Sequence, residues 1–201
     1  MELKRYSWHK KMNIPITYAN EFSLEECSKD KNLFQKIKQD LRGYNGKWSQ
    51  QGFWAMVVYR FGRWRYTIKL PLVRKPFSFL YKFLFKLIQV IAGIELPCEV
   101  KIGKNFRIEH FGGIVVSGFA NLGDNCIIRN GVTIGLRHTH QPSAPRIGNN
   151  VDIGTGAKLL GNISIGNNVL IGANAVVLEN VPSNCIAVGV PARILKRREH
   201  V

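Results

Sequence analysis

The sequence predicts a mainly β fold, a parallel β-helix of about four coils preceded by an α-helical region, and three observations carry that prediction. The first is a period of six: aliphatic residues stand at Ile102, Ile108 and Ile114, at Leu122, Ile128 and Ile134, then without a break at Ile147, Ile153, Leu159, Ile165, Ile171 and Val177. Six residues are too few for a helical repeat, whereas strand alternation turns each aliphatic residue and the one two before it to the same side. The second is what surrounds them. Glycine follows at Gly103, Gly123, Gly135, Gly148, Gly154, Gly166 and Gly172, and small or β-branched residues four positions on, at Val132, Val151, Ala157, Val169, Ala175 and Val181, fill the second inward position. Glycine and asparagine then supply the turns between short strands. The third is composition: 201 residues at 45% hydrophobic suffice for one core and are too apolar for disorder. Three such strands close a triangular coil, and coils stack at roughly 4.8 Å.

Taken in order, the chain opens with a helix signalled by a capping box at Ser23 and Glu26, continued by Leu33, Phe34, Ile37 and Leu41 at helical spacing and stopped by Gly43. A second helix is framed by Pro76 at its first position and Gly93 just past its end. Residues 1–94 are therefore expected to form a basic, aromatic-rich helical region, 95–190 the β-helix, and 191–201 a basic tail. Residues 1–11 are mostly polar, and no apolar run with a cleavage site follows. Cys27, Cys98, Cys126 and Cys185 lie far apart without a CxxC pair, so reduced thiols and a cytoplasmic location are expected.

Charge is the outlying property. Lysine and arginine number 29 against 13 acidic residues, a formal +16. Before residue 100 there are 18 basic and 8 acidic residues, after it 11 and 5, and none of residues 41–94 is acidic. Basic residues interleaved with aromatics over 42–92 suit a membrane surface or a nucleic acid, or a helical cap whose aromatics pack on a neighbour. Because this charge lies apart from the β-helix, the expectation is peripheral membrane contact through residues 42–92 at the inner face, and no nucleic-acid partner. At about 26 Å of helix, the stretch from Pro76 to Ala92 is short for a membrane span.

The hexads, together with Gly189–Arg193 reading GVPAR, resemble the hexapeptide-repeat acyltransferases, whose coils are left-handed and which assemble as homotrimers. Within that group Ile108–Val116 (IEHFGGIVV), Arg129–Gly135 (RNGVTIG) and Gly156–Ile163 (GAKLLGNI) are similar to the serine O-acetyltransferases, closest to the short members found with exopolysaccharide and capsule genes. The resemblance covers roughly residues 42–196. It implies acetyl-CoA as co-substrate, no metal, and sites in the clefts between subunits.

Two breaks interrupt the repeat: a spacing of eight from Ile114 to Leu122 and of thirteen from Ile134 to Ile147. Counted three hexads per coil, both leave from one edge of the prism, while His110 follows the second hexad and stands at another edge. For the loop Leu136–Arg146 to reach a site around His110, a neighbouring subunit in a ring must supply it. Transfer to a hydroxyl needs a general base near neutrality, the ordinary range of histidine, and a partner that fixes its tautomer. His110 is the expected base. Glu95, fifteen residues earlier and about one coil back, is its expected partner, at the offset where the family carries an acidic residue.

Glu109, Asn130, His138 and His140 are the expected substrate contacts. The family's loop carries an Arg-His pair before a proline, where this chain has Ser143 and Ala144 before Pro145, and Glu109 stands where the family has an aspartate that contacts the amino acid. These departures point to another hydroxyl, a sugar or a lipid-linked saccharide, with serine as the alternative acceptor. By the resemblance Gly135, Thr155 and Ala173 lie along the pantetheine arm, and Lys196 and Arg197 pair with cofactor phosphates. The alternatives are that these residues serve only tight turns and a solvated terminus. A third reading takes His110, His138 and His140 as an open zinc site like that of the γ-class carbonic anhydrases.

Overall fold

The computed structural model describes residues 32–138, 140 and 143–197. The capping box at Ser23 and Glu26, and Cys27, lie outside the described residues. Among the described residues three helices precede the strands: α1 Leu33–Gly43, α2 Gln51–Trp64 and α3 Pro71–Ala92, with a 3-10 turn Arg65–Thr67 between the last two. α3 starts five residues before the expected Pro76. Pro71 takes the first-turn position, where a missing N–H costs nothing, and Pro76 sits inside the helix on its exposed side, so the carbonyl it leaves unbonded faces water. Gly93 ends the helix as expected, at φ 60, in the left-handed region.

From Ile94 on, fourteen short strands among the described residues wind into a three-sided prism and a fifteenth folds back antiparallel on its last coil. The first sheet holds β1 Ile94–Glu95, β4 Ile114–Val116, β7 Thr133–Gly135, β10 Lys158–Leu160 and β13 Val176–Val177; the second holds β2 Lys101–Ile102, β5 Asn121–Leu122, β8 Arg146–Ile147 and β11 Ser164–Ile165. The third holds β3 Arg107–Glu109, β6 Ile127–Arg129, β9 Asp152–Ile153, β12 Leu170–Ile171, β14 Cys185–Val188 and β15 Arg193–Lys196. Pairing is parallel except between β14 and β15. The prism makes about five turns, since β1 precedes the expected hexads and β14 follows them. The first coil's inward aliphatic is Leu96, six before Ile102 and so in period but left out of the count, while the step from Val177 to Val181 shortens the last coil.

Register corrects the position of the first break. Ile94 pairs with Ile114, but Val116 pairs with Ile134, so Val116 and not Ile114 is the hexad aliphatic of its coil. The two extra residues therefore lie between Ile108 and Val116, in the turn that holds His110. Ile114 and Val116 are both almost fully buried, so the sequence offered two equivalent choices and the period alone could not decide between them. The longer break stays where it was expected, between β7 and β8.

Each edge has its own turn chemistry. Between the second and third sheets, Asn105, Asn125, Asn150, Asn168 and Asn184 all take φ of 55 to 60. Asparagine tolerates this left-handed conformation because its short amide bonds locally. Each amide donates to the next coil's Oδ1, from 105 to 125 and 125 to 150 at 2.9 Å and onward to 168 and 184 at 3.0 Å. Asn150→Ala removes two of these bonds and strains the turn; thermal denaturation should show a loss of about 1–3 kcal/mol.

The helices close the open end of the prism. On the unpaired edge of β3, the Tyr44 hydroxyl accepts from the Ile108 N–H at 2.8 Å and lies 3.4 Å from its carbonyl, standing in for a missing coil. α2 lies directly on this strand: a Cβ on Gly52 would meet the Ile108 carbonyl at 2.3 Å. Met56, Tyr59, Phe106 and Ile108 join one core that runs through every coil. Part of the N-terminal charge is internal. Arg60 makes a two-point ion pair with Asp40 on α1, Nε to Oδ2 at 2.9 Å and Nη2 to Oδ1 at 3.1 Å. Arg63 donates to the Val100 carbonyl, and Arg65 lies over the rings of Tyr66 and Tyr81 at 4.5 and 4.3 Å.

Candidate active site

His110 stands at the edge between the third and first sheets. The strand pair Glu109 with Arg129 places it beside Asn130, and the next two registers carry that position to Thr155 and Ala173. His110, Asn130, Thr155 and Ala173 thus form a column down one edge, with the Thr155 hydroxyl donating to Asn130 Oδ1 at 3.2 Å. His110 takes φ 63, unusual for a histidine, and is exposed; Gly112 and Gly113 follow it, also at positive φ. Behind the column the backbones come close enough that a Cβ on Gly131 would lie 3.2 Å from the Gly156 Cα. The two inserted residues thus push a single imidazole outward over a smooth, glycine-backed edge.

Glu95 lies on the exposed face of β1, one coil before β4, where it pairs with Val115. It borders the same edge as His110, and no ion pair joins the two within the chain. Glu109 is occupied: Arg107 Nη2 and Arg129 Nη2 each stand 3.2 Å from one of its oxygens, and Arg129 also bonds Asp152. Two residues at this edge were not picked out from the sequence. Lys158 reaches from β10 to donate to the Gly131 carbonyl, and the ring of Phe111 is exposed beside His110. Both belong to the recognised motifs, which were the available signal.

The other expected residues lie elsewhere. Gly135 ends β7 at the edge between the first and second sheets, where the long loop leaves the prism. Arg137, His138 and Ser143 of that loop line a depression of about 210 Å³ against Leu160, Gly161 and Leu178. His138 and His140 are exposed. This edge and the His110 edge flank opposite sides of the first sheet, as expected, so one chain does not gather the three histidines of a zinc site. Among the described residues, no group of three or more His, Cys, Asp or Glu is placed to hold a metal. Lys196 ends β15 opposite Cys185, and the Arg197 N–H bonds the Asn184 carbonyl, which puts both at the asparagine edge. The five expected cofactor contacts therefore occupy three edges of one prism.

Two of the described cysteines are held as thiols. Burial pushes the Cys98 thiol up to about 12, with Glu99 adding to the effect, and burial also raises Cys126. A thiol held protonated is a poor nucleophile.

Residues 144–179 match the family model of the bacterial transferase hexapeptide, six repeats. A truncated serine acetyltransferase solved without ligand is 31% identical, with a TM-score of 0.69, over 85% of this chain and 74% of that one. The chain belongs to the hexapeptide-repeat transferase family. This hexapeptide-repeat transferase is also 41% identical over 147 residues to the serine acetyltransferase of Synechococcus elongatus, a match that takes in 73% of the chain and 57% of the relative. It thus spans little more than half the length of that curated relative. A serine acetyltransferase from Brucella abortus solved in complex with coenzyme A is 28% identical, with a TM-score of 0.69, over 82% of this transferase and 68% of that chain.

Proposed function

We propose that this transferase is an acetyl-CoA-dependent O-acetyltransferase acting on a hydroxyl, with serine as the acceptor that its relatives favour. The observation that carries the reading is His110, held at φ 63 in the one two-residue expansion of its edge. The relatives are named serine acetyltransferases, which supports the serine alternative over the sugar expected from the loop sequence.

Transfer is direct. His110, oriented by Glu95, takes the acceptor hydroxyl proton as the oxygen attacks the thioester carbonyl, and the thiolate of coenzyme A leaves with a proton from the imidazolium. A backbone N–H stabilises the oxyanion. The column of Asn130, Thr155 and Ala173 forms one wall for the pantetheine arm, and Lys158 adds a cation to it. A homotrimeric ring brings the Gly135 edge and the loop with His138 and His140 from the next subunit to form the other wall. Lys196 and Arg197 would meet cofactor phosphates only across such a ring. The buried, unpaired thiols of Cys98, Cys126 and Cys185 fit a cytoplasmic enzyme.

A saccharide acceptor, of the kind made with exopolysaccharide or capsule genes, is the second reading. It is favoured by Ser143 and Ala144 at the loop positions of the Arg-His pair, and by Glu109, whose carboxylate already faces two arginines. Release of coenzyme A measured with serine, nucleotide sugars and lipid-linked saccharides separates the two. Serine turnover supports the first reading, turnover with saccharides alone moves the assignment to the second, and none with any hydroxyl acceptor overturns both.

A further inference from the structure

Arg137 stands at the root of the long loop, just past the end of β7 at Gly135. Its position is set by the coil beneath it. The Gly161 N–H donates to the Gly135 carbonyl at 2.9 Å, which ties the loop to the edge where it leaves the prism. A Cβ on Gly161, at φ 92, would meet the Arg137 Cβ at 3.1 Å and its Cδ at 3.7 Å, so the arginine stem lies across the space that a larger residue would fill. The stem is thus held by packing while the residue remains exposed. Among the described residues Arg137 makes no ion pair, and none of those lining the adjoining depression of about 210 Å³ is acidic. His138, Ser143 and Asn162 bring polar side chains to that depression, and Leu160 and Leu178 bring apolar ones.

We propose that Arg137 selects acceptors that carry an anionic group, by binding a carboxylate or phosphate attached to the molecule whose hydroxyl is acetylated. A guanidinium keeps its charge throughout the physiological pH range, and its fork of N–H donors matches two oxygens of one anion. With hydrogen-bonding groups around it and no fixed negative charge beside it, the depression is complementary to an anion. Its size limits which one. Pockets that enclose a whole drug-sized ligand run from about 300 to 1,000 Å³, so this one suits a single small charged group and not the nucleotide end of coenzyme A. The inference rests on the acetyltransferase reading and its ring, in which this edge meets the His110 edge of the next subunit. It holds for either class of acceptor.

Coenzyme A release by the full chain, measured with serine against serinamide and with glucose 1-phosphate against glucose, tests it. The charged member of the pair in use is expected to have a kcat/KM at least about tenfold higher, and which pair responds tells carboxylate from phosphate. Arg137→Met keeps a stem over Gly161 and removes the charge. It should cut kcat/KM for the charged acceptor by about ten- to a hundredfold, the worth of a hydrogen bond to a charged group, through KM rather than kcat. The KM for acetyl-CoA and the melting temperature should not move, and Arg137→Lys should regain part of the loss. Calorimetry with serine and with inorganic phosphate needs no turnover: the wild type should bind one of them, and the Met variant should bind it at least about tenfold more weakly. If no acceptor turns over, the acetyltransferase reading fails on its own, and calorimetry still decides the role of Arg137. Equal use of charged and neutral acceptors overturns the proposal, as does wild-type binding of neither anion or binding that the Met variant retains. A raised KM for acetyl-CoA in that variant also overturns it, because the arginine then serves the cofactor.

Discussion

Replacing His110 by asparagine is expected to lower kcat/KM for acetyl transfer by about two to four orders of magnitude, the usual worth of a positioned general base. Asparagine is chosen because of the backbone. At φ 63 an alanine would strain the turn, and lost activity could then reflect a collapsed loop. Seven asparagines elsewhere in the fold hold φ between 53 and 60, so the variant keeps the conformation and removes only the imidazole. Circular dichroism should show an unchanged melting transition and calorimetry an unchanged affinity for coenzyme A. Turnover at the wild-type rate would remove His110 from the mechanism and leave the expanded turn without a catalytic purpose. Glu95→Gln should cost less, because it removes a group that orients the imidazole and leaves the base itself in place.

The largest effect on stability is expected at the other end of the molecule. Asp40→Ala strands the Arg60 guanidinium at an interface where both side chains are less than a tenth exposed. Breaking one partner of such a pair costs about 3–5 kcal/mol, a large share of the stability of a domain this size. Equilibrium denaturation would read it directly. Asp40→Leu with Arg60→Met, which removes both charges, should recover most of the loss, since two desolvated ions are exchanged for apolar packing. If the double variant is as unstable as the single one, geometry rather than stranded charge holds α1 to α2.

The repeat domain was legible because a solenoid writes its contacts into local sequence. Ile128, Ile153 and Ile171 sit above one another in the third sheet at the positions the period of six assigns. His110 was singled out for a different reason: its motif stands out against a monotonous background. The first break was misplaced because Ile114 and Val116 are both inward and both aliphatic, and only pairing with the next coil tells them apart. The helical region was the hardest to read. Charge and aromatic content alone gave Arg60, Arg63 and Arg65 the same weight as Lys75 and Lys86, yet the three arginines are buried against a carboxylate, carbonyls and tyrosine rings while these two lysines are exposed.

By itself, then, the sequence determined the β-helix, the end of α3 at Gly93 and the turn position of His110, all features encoded within a coil or a turn. The tertiary structure decided which edge of the prism carries the extra residues, which candidates share that edge, and which arginines of the helical region are buried. These depend on residues that are neighbours across coils or between elements. The free energy that orders them comes from burial against partners that a linear period does not specify.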